Sequence, residues 1–232
     1  MTSGLYLVST PIGNLEDITL RAIRILSEVN LIVAEDTRRT GVLLKHYNIK
    51  KPLLSYHDHN KITRIPIIID QLKSGAKIAF VSDSGTPGIA DPCFHLVQKA
   101  IESNIPVIPI PGPTSVTAAL VVSGLPTDRF IFEGWLPKTS VKRKKKLEAL
   151  STELRTIIFF ESPHRIVATL KDCLLVLGNR RAAICRELTK KFETIERERL
   201  EYLVAKHSNS GQKGEFVVLI EGAIGSSPFG IQ

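Results

Sequence analysis

Four stretches of this 232-residue chain gather side chains that can do chemistry. The first is residues 78–92, IAFVSDSGTPGIADP, where an apolar run of Ile78, Ala79, Phe80 and Val81 breaks at Ser82 into a loop rich in Gly, Pro and Asp. Asp83 and Asp91 offer carboxylate acceptors to a ribose hydroxyl or to a cationic group. Gly85 and Gly88 allow positive φ or close approach of a backbone to a ligand, although the same residues also suit an ordinary strand-to-helix turn. The second stretch, AEDTRRTG at 34–41, sets Glu35, Asp36, Arg38 and Arg39 at a strand end. Arginines there can grip phosphate through paired N–H donors, the alternative being a solvated surface loop. In the third, YHDHN at 56–60, His57 and His59 flank Asp58, but neighbouring side chains point apart and no second cluster follows at ligand spacing. Polar substrate contacts or a capped turn account for it better than a metal, and none is expected. The fourth, KTSVKRKKKLEAL at 138–150, holds Lys138, Lys142, Arg143, Lys144, Lys145 and Lys146. Adjacent cations repel one another without a polyanion nearby, which favours RNA phosphate contact over a solvated helix face.

The elements that must position these groups are legible as alternating strands and helices. Apolar runs at 5–8, 31–34, 53–55, 78–81 and 107–110 read as buried strands. Between the first two, Asn14 reads as a helix N-cap with Glu16 and Asp17 in the first turn, and Ile18, Ala22, Ile25 and Val29 recur at helical spacing. A helix is expected at 66–74, opened by Pro66 and stopped by Gly75, and another after Pro92 with Cys93, Val97, Ala100 and Ile101 on one face. Pro111, Gly112 and Pro113 make a stiff connector before a helix bearing Val116, Ala119 and Leu120. Alternation up to this point implies a mostly parallel sheet flanked by helices. Strands at 129–132, 156–161, 182–186 and 216–221 have fewer intervening helices and read as a mixed sheet. The expected fold is therefore α/β with two lobes: an N-terminal domain over 1–112, a C-terminal domain over 113–225, and a tail at 226–232.

Composition narrows the class. With 43% hydrophobic and 23% charged residues the chain reads as a soluble globular protein, and no apolar run approaches the roughly 20 residues that span a bilayer. The first residues carry no basic segment ahead of the apolar run, so a cytoplasmic location is expected. Cys93, Cys173 and Cys185 lie far apart inside apolar patterns, as reduced core thiols do. A formal net charge of +8 favours a polyanionic partner. Neither a G-x-G-x-x-G after the first strand, nor a P-loop, nor a G-x-S-x-G elbow is present, so the residues alone do not name a reaction.

A resemblance supplies one. STPIGNLEDITLRA at 9–22, AEDTRRT at 34–40, SYHDHN at 55–60, VSDSGTPGIADP at 81–92, PIPGPTSVTAAL at 109–120, SGLPTDRFIFEGWLP at 123–137, FFESPHR at 159–165, RELTKKFE at 186–193 and GEFVVLIEG at 214–222 together resemble, in collinear order, the bacterial small-subunit ribosomal RNA cytidine 2′-O-methyltransferases of the tetrapyrrole-methylase fold family. Ser84 stands where that family more often has Ala. The resemblance implies a tetrapyrrole-methylase-like fold with a cofactor cleft between its lobes, S-adenosylmethionine as methyl donor, and a homodimer acting on 16S ribosomal RNA within the small subunit. It assigns the donor to Pro11 and Gly13, to Asp83, Gly85, Thr86 and Pro87, to Ser115 and Val116, and to Phe160 and Leu188. It assigns RNA contacts to Arg38, Arg39, His57, His59, Lys142, Arg143, Lys144, Lys145 and Arg165. Removal of the ribose hydroxyl proton calls for a base. Glu161 and His164 are the candidates, with Glu35 and Asp36 as rivals. A non-catalytic RNA-binding factor and a porphyrin-precursor methyltransferase of the same fold are the competing classes.

Overall fold

Five parallel strands in the order β3-β2-β4-β1-β5 organise the first half of the chain. They are β1 (Gly4–Val8), β2 (Leu31–Ala34), β3 (Leu53–Ser55), β4 (Lys77–Val81) and β5 (Val107–Ile110). Each run is apolar at nearly every position because both faces of the sheet are covered. Tyr6, Val8, Ile32, Ala34, Ala79 and Val81 face one core, which α1 (Leu20–Glu28) and α2 (Thr37–His46) complete. Leu5, Val33, Ile78 and Phe80 face another, closed by α3 (Lys61–Lys73) and α4 (Cys93–Glu102). The central strands β1 and β4 are neighbours, yet the chain leaves β1 towards β2 on one side and β4 towards β5 on the other. Such a switch in strand order leaves the loops after both strands at one end of the sheet, where α/β folds place ligands.

The computed structural model describes residues 1–208, 211 and 213–223, so the expected tail at 226–232 lies outside the described residues. The chain divides into two units, Met1–Thr114 and Ser115–Gln232. The second opens with α5 (Ser115–Val122) and contains β6 (Phe130–Trp135), α6 (Ser140–Glu148), β7 (Thr156–Glu161), α7 (Ile166–Leu177), β8 (Arg181–Arg186), β9 (Thr194–Arg199), α8 (Leu200–Ser208) and β10 (Phe216–Ile220). Its strand order is β6-β7-β10-β8-β9, with β6 and β7 parallel and the other pairs antiparallel. Leu147, Ile166, Leu170, Cys173, Leu200 and Leu203 bring α6, α7 and α8 onto a core shared with Ile157, Phe159 and Val218. Among the described residues no helix is long and apolar enough to cross a membrane.

Several local expectations change. The helix expected from Asn14 is two pieces: Asn14 accepts from the Glu16 N–H and caps a 3-10 turn at Leu15–Asp17, while Thr19 caps α1 through the Ala22 N–H. Helix α3 begins at Lys61 rather than Pro66, so Pro66 lies inside it and one helical hydrogen bond is forgone. On α4 the buried positions are Cys93, Leu96 and Ala100, and Ile101 is exposed. Strand β9 was not expected: TIERER lacks an apolar run because it is a sheet edge whose side chains meet solvent. All three cysteines are free and buried, and burial raises each thiol, that of Cys185 to about 12.

Candidate functional site

Two loops at the carboxyl end of the first sheet are stitched together. Thr10 and Gly85 exchange backbone hydrogen bonds, Thr10 N–H to Gly85 at 2.9 Å and Gly85 N–H to Thr10 at 3.1 Å. The Ser9 and Thr86 hydroxyls lie 3.0 Å apart, and Thr86 donates to the Pro113 carbonyl at 3.2 Å. Gly85 has φ +79°, and a Cβ there would come 3.3 Å from Ile12. At Gly112 a Cβ would come 2.8 Å from that of Ser9. These glycines let the loops after β1, β4 and β5 converge closely. Within this unit Pro11 is half-buried, Gly13 is exposed, Gly85 and Pro87 are buried and Thr86 is half-buried. No sequence signal marked the Thr10–Gly85 pairing, because its partners are 75 positions apart and it uses backbone atoms alone.

Beside these loops the ends of β2 and β4 carry a charged cluster. Asp83 accepts from the Asp36 backbone N–H at 2.8 Å, and its other carboxylate oxygen lies 3.8 Å from Arg39. Asp36 caps α2 through the Arg38 N–H and holds the Arg38 guanidinium by two contacts, at 3.0 and 2.7 Å. These bonds from Arg38 hold the Asp36 carboxyl well below the usual carboxylate range. Glu35 behaves oppositely. Partial burial, and then the negative charges of Asp83, Asp91 and Asp58, push its carboxyl above the ordinary value, with Arg39 opposing them. Glu35 lines a cleft of about 260 Å³ with Asp58, Lys61, Asp91 and His95. Asp91 is also raised, chiefly by burial, while accepting from the Gly88 and Cys93 N–H groups. His57 and His59 stand with ring centroids 5.9 Å apart, and Asn60 binds back to the His57 backbone N–H.

In the second unit three of the expected site residues are held by internal partners. Glu161 is fully buried, and its carboxylate accepts from Thr169 Oγ1 at 2.6 Å, from the Ser162 N–H at 2.7 Å and from Arg165 Nη2 at 2.9 Å. A carboxylate so enclosed braces the turn between β7 and α7. Arg165 is turned inward by that contact and by a 2.8 Å bond to the Leu136 carbonyl, away from the RNA role expected of it. Arg143, expected at phosphate, is only 3% exposed, its guanidinium bound to Asp172 of α7 at 2.6 and 2.8 Å. Lys142 and Lys145 are exposed, whereas Lys144 is half-buried, 3.7 Å from Asp172. His164 is exposed on the turn before α7. Ser115 opens α5, Val116 and Leu188 are buried, and Phe160 is half-buried.

Residues 4–204 match the family model described as Tetrapyrrole (Corrin/Porphyrin) Methylases. The chain is 52% identical to the "Ribosomal RNA small subunit methyltransferase I" of Halalkalibacterium halodurans, covering 94% of this chain and 75% of that one. It is 48% identical to the protein of the same name from Haemophilus influenzae, over 96% and 80% of the two chains. The one from Thermotoga maritima is 47% identical over 94% and 98%. Among solved structures, a cobalt precorrin-4 methyltransferase superposes with a TM-score of 0.71 at 18% identity, over 94% of each chain. A diphthine synthase does so with a TM-score of 0.69 at 16% identity, over 94% and 89%. Likeness at that identity establishes the fold alone.

Proposed function

This chain belongs to the tetrapyrrole (corrin/porphyrin) methylases, and from that membership we propose that it methylates small-subunit ribosomal RNA, transferring a methyl group from S-adenosylmethionine to the 2′-hydroxyl of a cytidine ribose. One observation carries the choice of substrate within the family. Relatives about half identical over nearly the whole chain are named for small-subunit ribosomal RNA, whereas the corrin-type structure shares the fold at 18% identity. The exposed Arg38 and Arg39 beside a partly buried carboxylate suit an acceptor that carries phosphates.

S-adenosylmethionine, when bound, supplies an electrophilic methyl on a sulfonium. What falls to the protein is alignment, exclusion of water and acceptance of one proton. The first-unit residues fit that donor. Gly85 and Gly112 bring backbones close enough to form a cradle, and the Asp83 side chain, 25% exposed, offers an acceptor to a polar or cationic group. Pro11, Gly13, Thr86 and Pro87 lie on the loops so joined. The proton goes to Glu35, whose carboxyl is made more basic than an ordinary glutamate by burial and neighbouring acids. Arg38 and Arg39 hold the phosphates flanking the target ribose. The enzyme works as a homodimer, which sedimentation equilibrium would report as twice the chain mass.

The test is transfer of a labelled methyl group from S-adenosylmethionine to small ribosomal subunits lacking the modification, followed by nucleoside analysis. Label in 2′-O-methylcytidine is the expected result. Absence of transfer to subunits and to naked RNA, with donor binding confirmed by a thermal shift, would overturn the substrate while leaving the family intact. Glu35→Gln and His164→Ala, run side by side, set that assignment against the rival His164.

A further inference from the structure

The chain's one tryptophan is held on an exposed sheet edge by a built irregularity. Strand β6 is the outer strand of the second sheet, and it pairs in register with β7 at Phe130↔Thr156, Ile131↔Ile157 and Phe132↔Ile158. The next pair is Trp135↔Phe160, so β6 spends one more residue than β7 over that interval. Side chains alternate between the faces of a strand, and without the extra residue Trp135 would fall on the side of Ile131, which packs on the helix-covered core. Gly134, at φ +63°, takes the conformation that makes the bulge. The consequence is that Trp135 joins Phe132 and Phe160 on the opposite face. Phe160 meets Phe132 at 4.9 Å and Trp135 at 5.6 Å between ring centroids, both edge-on. Trp135 is 54% exposed, and Phe130, on the same face of β6, is 39% exposed.

The charge around this aromatic edge decides what covers it. Between residues 133 and 148 the chain carries six cations against two carboxylates. One carboxylate, Glu133, is bound to Lys146 at 2.6 Å, and Arg143 is spent on Asp172. Lys138, Lys142 and Lys145 remain exposed. A polyanion with flat, stackable rings satisfies both the aromatic and the cationic surface. Resting on the RNA reading above, the geometry points to Trp135 as a stacking platform for an unpaired base of the substrate RNA, with Phe160 and Phe132 backing its ring and the exposed Lys138, three residues along the chain, holding an adjoining phosphate.

Because Trp135 is the only indole, its emission reports the contact directly. Titration of the full-length protein with a short single-stranded oligocytidylate is expected to quench that emission, saturating at the same concentration as anisotropy of a labelled oligomer. Trp135→Ala is expected to weaken oligomer binding about tenfold or more, with Trp135→Phe restoring most of it and donor binding unchanged in both. Oligomer bound without quenching, and equally well by Trp135→Ala, overturns the platform and leaves the RNA reading standing. An oligomer that does not bind the wild-type chain also overturns it, methyl transfer to subunits then judging the wider reading separately. A Trp135→Ala chain that sediments at half the wild-type mass overturns it too, because a second copy would then be the cover.

Discussion

The carboxylate of Asp83, at the end of β4, accepts the backbone N–H of Asp36, at the end of β2, at 2.8 Å. That bond fixes a negative charge beside Glu35, where it is the second cause, after burial, of the raised Glu35 carboxyl. A base must be ionised to take a proton, so the rate of methyl transfer should rise with pH through a value above the ordinary 4.5. Asp83→Asn keeps an acceptor for the Asp36 N–H while removing the charge, and should move that acid limb to lower pH. Glu35→Gln should abolish the limb and slow single turnover by about 10²-fold. A pH–rate profile identical in all three proteins would remove Glu35 from the chemistry.

Stability carries the same sign. A carboxyl whose pKa is higher in the folded chain binds its proton more tightly there. The stability Glu35 lends is therefore fully present below its unfolded value near 4.5 and is lost as pH rises through the folded one. Urea midpoints of wild type and Glu35→Gln should converge on the acid side and separate above it, the variant being the more stable.

Glu161 should prove to be a brace. Removing its carboxylate strands Arg165 and Thr169, a loss of about 3 kcal/mol by analogy with other broken buried pairs. Glu161→Gln should unfold at lower temperature yet turn over within about twofold of wild type once folded. Loss of the chemical step in a variant of unchanged stability would return Glu161 to the list of bases.

The lysine-rich helix divides in the same way. Arg143→Met should cost about 3 kcal/mol in stability, because it leaves the buried Asp172 carboxylate to the Ser140 hydroxyl and to Lys144 at 3.7 Å, while the salt dependence of RNA binding stays as in wild type. Lys142→Ala combined with Lys145→Ala should leave stability alone and flatten that dependence by about two phosphate contacts.

Arg38, with 90% of its side chain exposed, presents its guanidinium already oriented by Asp36. Arg38→Ala should lower RNA affinity and reduce the slope of log K against log salt by about one, with donor affinity unchanged. An unaltered slope would place the phosphates elsewhere.

What could be read in advance follows the physics of each element. Strands β1 to β5 were legible because a parallel sheet covered on both faces needs apolar residues at consecutive positions, as in Ile78 to Val81. Strand β9 was not, since an edge lets Arg197, Glu198 and Arg199 lie exposed and the pairing with β8 leaves no trace in composition. The charge run at 142–146 was visible, but not that position 143 of the helix faces Asp172, 29 residues on. Likewise FFESPHR announced a carboxylate at a strand end without telling that Thr169, one turn into α7, would close over it. Backbone stitches such as Thr10 with Gly85 have no side-chain signature at all.

The burial of Cys93, Cys173 and Cys185, each with its thiol raised by desolvation, leaves the folded surface chemically silent towards maleimides and other thiol reagents. A single cysteine introduced at an exposed position, such as Val141→Cys on α6 or Ser27→Cys on α1, would therefore take a spin label or dye by itself in the otherwise unaltered chain. Distances between such probes, one in each unit, could then be followed as donor and RNA are added.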